Sequence, residues 1–158
     1  MAGRYFDEWK IGDRVSHSIT RTVTETDNVL ITTLTHNPQP LHLDYEAAAE
    51  TEFGKPLVNS CLTLALVTGQ SVTDLTVNAV ANLGWDEVRL PNPLFEGDTV
   101  RSKSEVLETR ASKSRPNVGI VRVKTTGMNQ HGAAVIEFTR TFMVWKRGHL
   151  PGRDRSGE

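Results

Sequence analysis

His42 ends the stretch Asn37-Pro38-Gln39-Pro40-Leu41-His42, with Leu43-Asp44 following. Imidazole is the side chain best suited to take up and return a proton near neutral pH, which makes His42 the leading catalytic candidate. Prolines at 38 and 40 remove amide donors and push the residues before them toward extended geometry, so a stiff, nonhelical loop is expected to carry it. Asn37 brings an amide that exchanges no proton at neutral pH but can hold a water or orient a bound group. Asp44 is the nearest carboxylate, and its favoured reading is the cap of a short helix beginning near Tyr45. His36 adjoins the loop; His17, His131 and His149 are read as surface residues.

A second chemical feature is the basic loop Ser112-Lys113-Ser114-Arg115-Pro116-Asn117. Lys113 and Arg115 offer a mobile charge and a planar fork of donors, a pairing that grips phosphates; a solvated turn is an equal reading. No phosphate-cradling glycine loop, no His and Cys at metal spacing and no serine elbow occur, which argues against nucleotide-binding, zinc and serine-hydrolase chemistry. No metal site is expected.

The 158 residues fit one domain, with residues 1–147 folded and 148–158 a mobile tail rich in Gly, Arg and Asp. Lys and Arg number 18 against 19 Asp and Glu, a net charge of -1, so no basic field draws the chain to nucleic acid or anionic lipid. Neither a signal-peptide core nor a run of about 18 apolar residues is present, and a soluble, cytoplasmic protein is expected. Cys61 is the single cysteine, which excludes a disulfide within the chain.

The elements that must position His42 follow from periodicity. Val15, Ile19 and Val23 share one parity, as in a half-buried strand over 13–24. Thr24 and Asp27 have capping-box spacing, opening a helix with Leu30 and Leu34 inward and a stop near Pro38. From Ser60 to about Leu75 apolar residues cover much of a helical circumference, the mark of a helix buried on most sides. Strands are expected at 78–90, 99–110, 118–128 and 133–145, with Asn129-Gln130-His131-Gly132 joining the last two as a hairpin. This is an α+β plan in which a curved antiparallel sheet wraps one long helix. Its open edge makes dimerisation a reasonable expectation.

With these residues in view, the segment 37–44 resembles the active-site loop of MaoC-like (R)-specific enoyl-CoA hydratases. Phe53-Gly54-Lys55-Pro56-Leu57-Val58-Asn59-Ser60 is similar to that family's turn into the central helix. Leu90-Pro91-Asn92-Pro93-Leu94-Phe95-Glu96-Gly97-Asp98-Thr99 looks like its proline-rich connection ending in Gly-Asp. Together these segments extend the likeness over most of residues 4–145.

The resemblance implies a single hot-dog fold, a homodimer or higher homo-oligomer, and reversible addition of water to the double bond of an acyl-CoA, with no cofactor beyond the thioester. His42 would handle the proton. Amides at the central helix start, that of Ser60 included, would stabilise the enolate oxygen. The family's second carboxylate should stand five residues before the histidine, where this chain has Asn37. Asn59 replaces a histidine, and Thr68 occupies a place where a hydroxyl often touches the loop; a bond to its own helix is the plainer reading of Thr68. Lys113 and Arg115 would meet the CoA phosphates. Polar residues within 69–82 suggest a short or branched dicarboxylic acyl group. An acyl-CoA thioesterase is the second reading, weakened because Asn59, Ser60 and Thr63 supply no carboxylate; a noncatalytic acyl-CoA-binding subunit, motivated by Asn37, is the third.

Overall fold

The computed structural model describes residues 3–152; most of the tail from 148 onward lies outside the described residues. After a short 3-10 turn, the first strand region forms in two pieces, β1 (Arg14–Ser16) and β2 (Arg21–Thr22). Both run antiparallel to β4 (Thr99–Ala111), β1 through Arg14 opposite Glu105 and β2 through Arg21 opposite Val100. The single strand expected over 13–24 is therefore interrupted. Val23 is buried as its parity demands, but Ile19 sits in the interruption and is 45% exposed.

Three further strands, β3 (Ala79–Arg89), β5 (Val118–Met128) and β6 (Ala134–Trp145), complete an antiparallel sheet in the order β1-β4-β5-β6-β3. Among the described residues β3 pairs with β6 alone, and Leu83, Trp85 and Val88 along it are exposed. The four long strands fall within about a residue of their expected bounds, because alternation over ten or more residues is hard to mimic by chance.

Helix α1 (Glu25–Leu34) begins at Thr24, whose hydroxyl accepts from the Asp27 amide while the Asp27 carboxylate accepts from the Thr24 amide. This is the expected capping box. Arg21 adds a two-pronged bond to the same carboxylate at 2.7 and 3.0 Å, and it is the leading reason the Asp27 carboxyl titrates below its ordinary value. The inward face is the reverse of the expected one. Asn28 and Thr32 are buried, whereas Leu30 and Leu34 face outward.

α2 (Pro40–Leu43) and α3 (Tyr45–Ala49) are single turns; α4 (Ser60–Gln70) is the central helix, followed by α5 (Val72–Leu75). Val67 of α4 is fully buried in a cluster with Val100, Ile136 and Phe138 of the sheet. Gly127 of β5 permits that approach, since a Cβ there would stand 2.6 Å from Val67 Cγ2. The opposite side of α4 stays open, with Cys61, Ala65 and Gly69 exposed, so the helix is less enclosed than its composition suggests.

Candidate functional site

His42 lies inside the single helical turn α2, not on the nonhelical loop expected, because the turn opens at Pro40, where a missing amide costs a helix nothing. Asn37 precedes it, and its Oδ1 accepts from the Gln39 amide at 3.0 Å. This is an Asx turn, which sets the chain direction into α2. Asp44 then caps α3, accepting from the Ala47 amide at 3.0 Å. The carboxylate thus takes the capping role expected of it.

His42 is clasped by Leu57. The Leu57 amide donates to the Leu41 carbonyl at 3.1 Å, and the Leu57 carbonyl accepts from His42 Nδ1 at 2.7 Å. A carbonyl oxygen only accepts, so Nδ1 carries the hydrogen and the neutral ring keeps a lone pair on Nε2. Leu57 is itself held by the loop 90–98, through its bridge to Phe95 and the neighbouring bond from the Val58 amide to the Leu94 carbonyl at 2.9 Å.

A cavity of about 230 Å³ opens here. His42 and Ser60 lie on its wall with apolar Phe53, Leu57, Leu94 and Val135, and His42 is its one titratable side chain among the described residues. Ser60 begins α4. Its predecessor Asn59 is the N-cap, with Oδ1 accepting from the Cys61 amide at 2.9 Å and Nδ2 donating to Thr32 Oγ1 at 3.1 Å. The Ser60 amide makes no hydrogen bond among the described residues, so the positive end of α4 has a donor available beside the imidazole. The pair can exchange a proton and stabilise a developing oxyanion.

Three supports carry no obvious mark in the sequence. Asn28 Nδ2 lies within 3.3 Å of the His42 carbonyl and 3.2 Å of the Leu57 carbonyl. Glu96 accepts from that same amide at 3.2 Å, and from the Tyr45 hydroxyl at 2.9 Å. The carboxylate pushes the Tyr45 phenol up to about 12 by accepting its hydrogen.

Other expected site residues are placed elsewhere. Asn37 is not among the residues lining the cavity. Thr68 lies eight residues along α4 from Ser60, about 12 Å by helical rise, and its hydroxyl accepts from Trp85 Nε1 at 3.3 Å; among the described residues that oxygen has no hydrogen bond to the loop or to its own helix. Lys113 and Arg115 occupy the hairpin beside Trp145, where Val118 pairs with Trp145. The cavity lies at the other end of the sheet, where Met128 pairs with Ala134, a separation of about 33 Å along β5. These two residues do not join His42 within this chain. Gln70 donates to the Val100 carbonyl at 2.8 Å and accepts from Ser102, so it satisfies the interior instead of lining the His42 cavity. His17, expected at the surface, is buried, with Nδ1 2.8 Å from Asp74 and Nε2 2.9 Å from Ser104. His36 is exposed with φ 53° and lines no part of the cavity.

A family profile described as mesaconyl-CoA hydratase matches residues 1–154. The mesaconyl-CoA hydratase of Cereibacter sphaeroides is 36% identical over 146 residues, which are 92% of this chain and 42% of that protein. The chain thus spans about two fifths of that relative. A MaoC-like dehydratase from Rhodospirillum rubrum superposes with a TM-score of 0.81 at 30% identity, covering 92% of this chain and 99% of that one. A Mycobacterium tuberculosis protein described as having a double hot-dog fold superposes with a TM-score of 0.85 at 24% identity, covering 93% of this chain and 46% of that one. Strand order, central helix and the profile spanning the whole described sheet agree: this is one hot-dog unit, and the chain belongs to the mesaconyl-CoA hydratase family of MaoC-like proteins.

Proposed function

We propose that this hot-dog unit catalyses reversible hydration of an enoyl-CoA thioester, with a short, branched dicarboxylic acyl group of the mesaconyl type as substrate. The supporting observation is the pairing, on one small cavity, of an imidazole whose Nδ1 is held by the Leu57 carbonyl and a Ser60 amide at the start of α4 that has no hydrogen bond among the described residues. The name of the Cereibacter sphaeroides relative supports the acyl group.

In the hydration direction, His42 Nε2 accepts one proton from water as the hydroxyl oxygen bonds to the β carbon. The π electrons move toward the thioester carbonyl, whose developing negative charge is met by the Ser60 amide and the helix dipole. The imidazolium then returns that proton to the α carbon as the enolate collapses. One water is consumed and His42 regains its starting state, so a single proton carrier suffices and Asn37 need not exchange one. The reverse sequence eliminates water from the 3-hydroxyacyl thioester.

A second copy of this chain fits the open edge of β3. β3 is the end strand of the sheet among the described residues, and its exposed Leu83, Trp85 and Val88 invite strand pairing there. Antiparallel pairing about a two-fold reverses one sheet relative to the other. The hairpin bearing Lys113 and Arg115 then lies at the end of the assembly that holds the neighbouring unit's His42, so their CoA-binding role belongs to that neighbour's substrate.

The test is the enoyl-thioester absorbance on mixing the protein with mesaconyl-CoA or crotonyl-CoA. A decrease with mesaconyl-CoA, lowered at least about 100-fold in a His42→Ala variant that keeps its thermal transition, is expected from the size of acid–base contributions. Absence of any change, together with thermal stabilisation by CoA esters, would replace the hydratase reading with acyl-CoA binding alone.

A further inference from the structure

Asn28 has no exposed surface and stands where α1, the His42 loop, the start of α4 and the loop 90–98 meet. Its Oδ1 accepts from the Asn59 amide at 2.8 Å. Its Nδ2 faces three acceptors, the His42 carbonyl at 3.3 Å, the Leu57 carbonyl at 3.2 Å and Glu96 Oε1 at 3.2 Å. The orientation is settled chemically, because the Asn59 amide only donates and the three oxygens only accept. Neither a carboxylate nor an apolar side chain of this size can serve both sides.

The Leu57 carbonyl shared with Asn28 is the one that takes the His42 Nδ1 hydrogen. Asn59, held through its backbone amide, is the N-cap of the helix whose first residue is Ser60. A single buried amide therefore spans the two halves of the cavity, the imidazole with its orienting carbonyl on one side and the helix-start donor on the other. Glu96 fixes the amide in turn and is itself held by the Tyr45 hydroxyl.

We propose that Asn28 is the positioning residue of this site, setting the imidazole of His42 against the amide at the start of α4 through the Leu57 and His42 carbonyls and the Asn59 amide. The inference rests on the reading of His42 as the proton carrier. Asn28 touches no reacting atom; it holds in register the groups that do, and small misplacements of such groups are costly in rate.

Asn28→Asp is the informative variant, since it keeps the acceptor for the Asn59 amide but turns an oxygen toward three oxygens. At neutral pH kcat is expected to fall about 100-fold, with KM changed less than threefold. Protonating the new carboxyl restores one donor, so the ratio of variant to wild-type kcat should rise as pH falls. A kcat equal to wild type, or a deficit independent of pH, would overturn the proposal. Asn28→Ser is the second variant; it retains a donor too short to bridge the cavity halves and should show the kcat loss without the pH dependence. The ring ¹⁵N spectrum of His42 reads positioning without turnover: the wild type should show the Nδ1–H tautomer, and the folded variants a mixture. If wild type lacks hydratase activity while the tautomer shifts as expected, the functional reading fails and the positioning role stands. If wild type is active and the spectrum of the variants is unchanged, the positioning role alone fails. Failure of both variants to fold would also overturn it, because Asn28 would then hold the domain instead of the site.

Discussion

Asn28 and Leu30 are two residues apart on α1, yet the amide is wholly buried and the leucine is 55% exposed. The helix spends its inward face on hydrogen bonds to the His42 loop and to Asn59, and leaves Leu30 and Leu34 facing solvent. A buried amide is tolerated because every polar atom finds a partner. The outward leucines join the uncovered β3 edge and the open side of α4 as apolar surface that one hot-dog unit leaves unpartnered, the usual mark of an interaction site.

Trp85 reports on that surface. It lies on β3, is 42% exposed, and its ring nitrogen donates to Thr68 of α4, so it links the sheet edge to the open side of the helix. On the proposed pairing of β3 edges, the wild type should be a dimer in light scattering and Trp85→Asp a monomer whose thermal transition stays cooperative, because the charge would be desolvated only in the assembly. A variant that remains dimeric would locate the interface elsewhere.

Asn37→Asp tests the family's missing carboxylate. Asn37 Oδ1 accepts from the Gln39 amide, and an aspartate makes the same Asx turn. Because this side chain is outside the cavity lining, kcat of the variant should stay within about twofold of wild type, with an unchanged pH profile. A tenfold gain would show that a carboxylate at this position reaches the substrate, and would make a second proton carrier part of the reaction.

How much of this was legible beforehand depends on the kind of signal. The four long strands and the capping box at Thr24 were readable because alternation and capping are local. The cap role of Asp44 was readable for the same reason. α1 was misoriented because Leu30 and Leu34 have helical spacing and Asn28 and Thr32 have it too; only tertiary hydrogen bonding decides which face turns in. Lys113 and Arg115 carry suitable chemistry, but the length of β5 separates them from His42, and strand length along a sheet is not a property of the hairpin residues. The bond of Thr68 to Trp85 was equally hidden, because a contact between a helix and a distant strand is tertiary and leaves no local pattern. Asn28, Leu57 and Glu96 act through backbone carbonyls and a shared amide, which leave no residue-type signature.

Tyr45 and Glu96 provide a pH test of the cluster behind Asn28. Their hydrogen bond of 2.9 Å favours the protonated phenol, and the Glu96 carboxylate raises the phenol to about 12 from an ordinary 10. A raised folded-state value means that folding binds the proton more tightly than the unfolded chain does, so the stabilisation is complete below pH 10 and is lost as pH rises toward about 12. Glu96→Gln removes the charge that holds the proton. Its Tyr45 should therefore ionise nearer pH 10, as read by the ultraviolet tyrosinate band, with Tyr5 removed by Tyr5→Phe to leave one reporter. Across pH 10 to 12 the wild type should lose stability relative to Glu96→Gln in denaturant titrations, because it starts with a contribution that the variant lacks. Identical ionisation in both proteins would show that Glu96 does not hold the phenol in solution, and would remove Tyr45 from the chain of contacts that steadies Asn28.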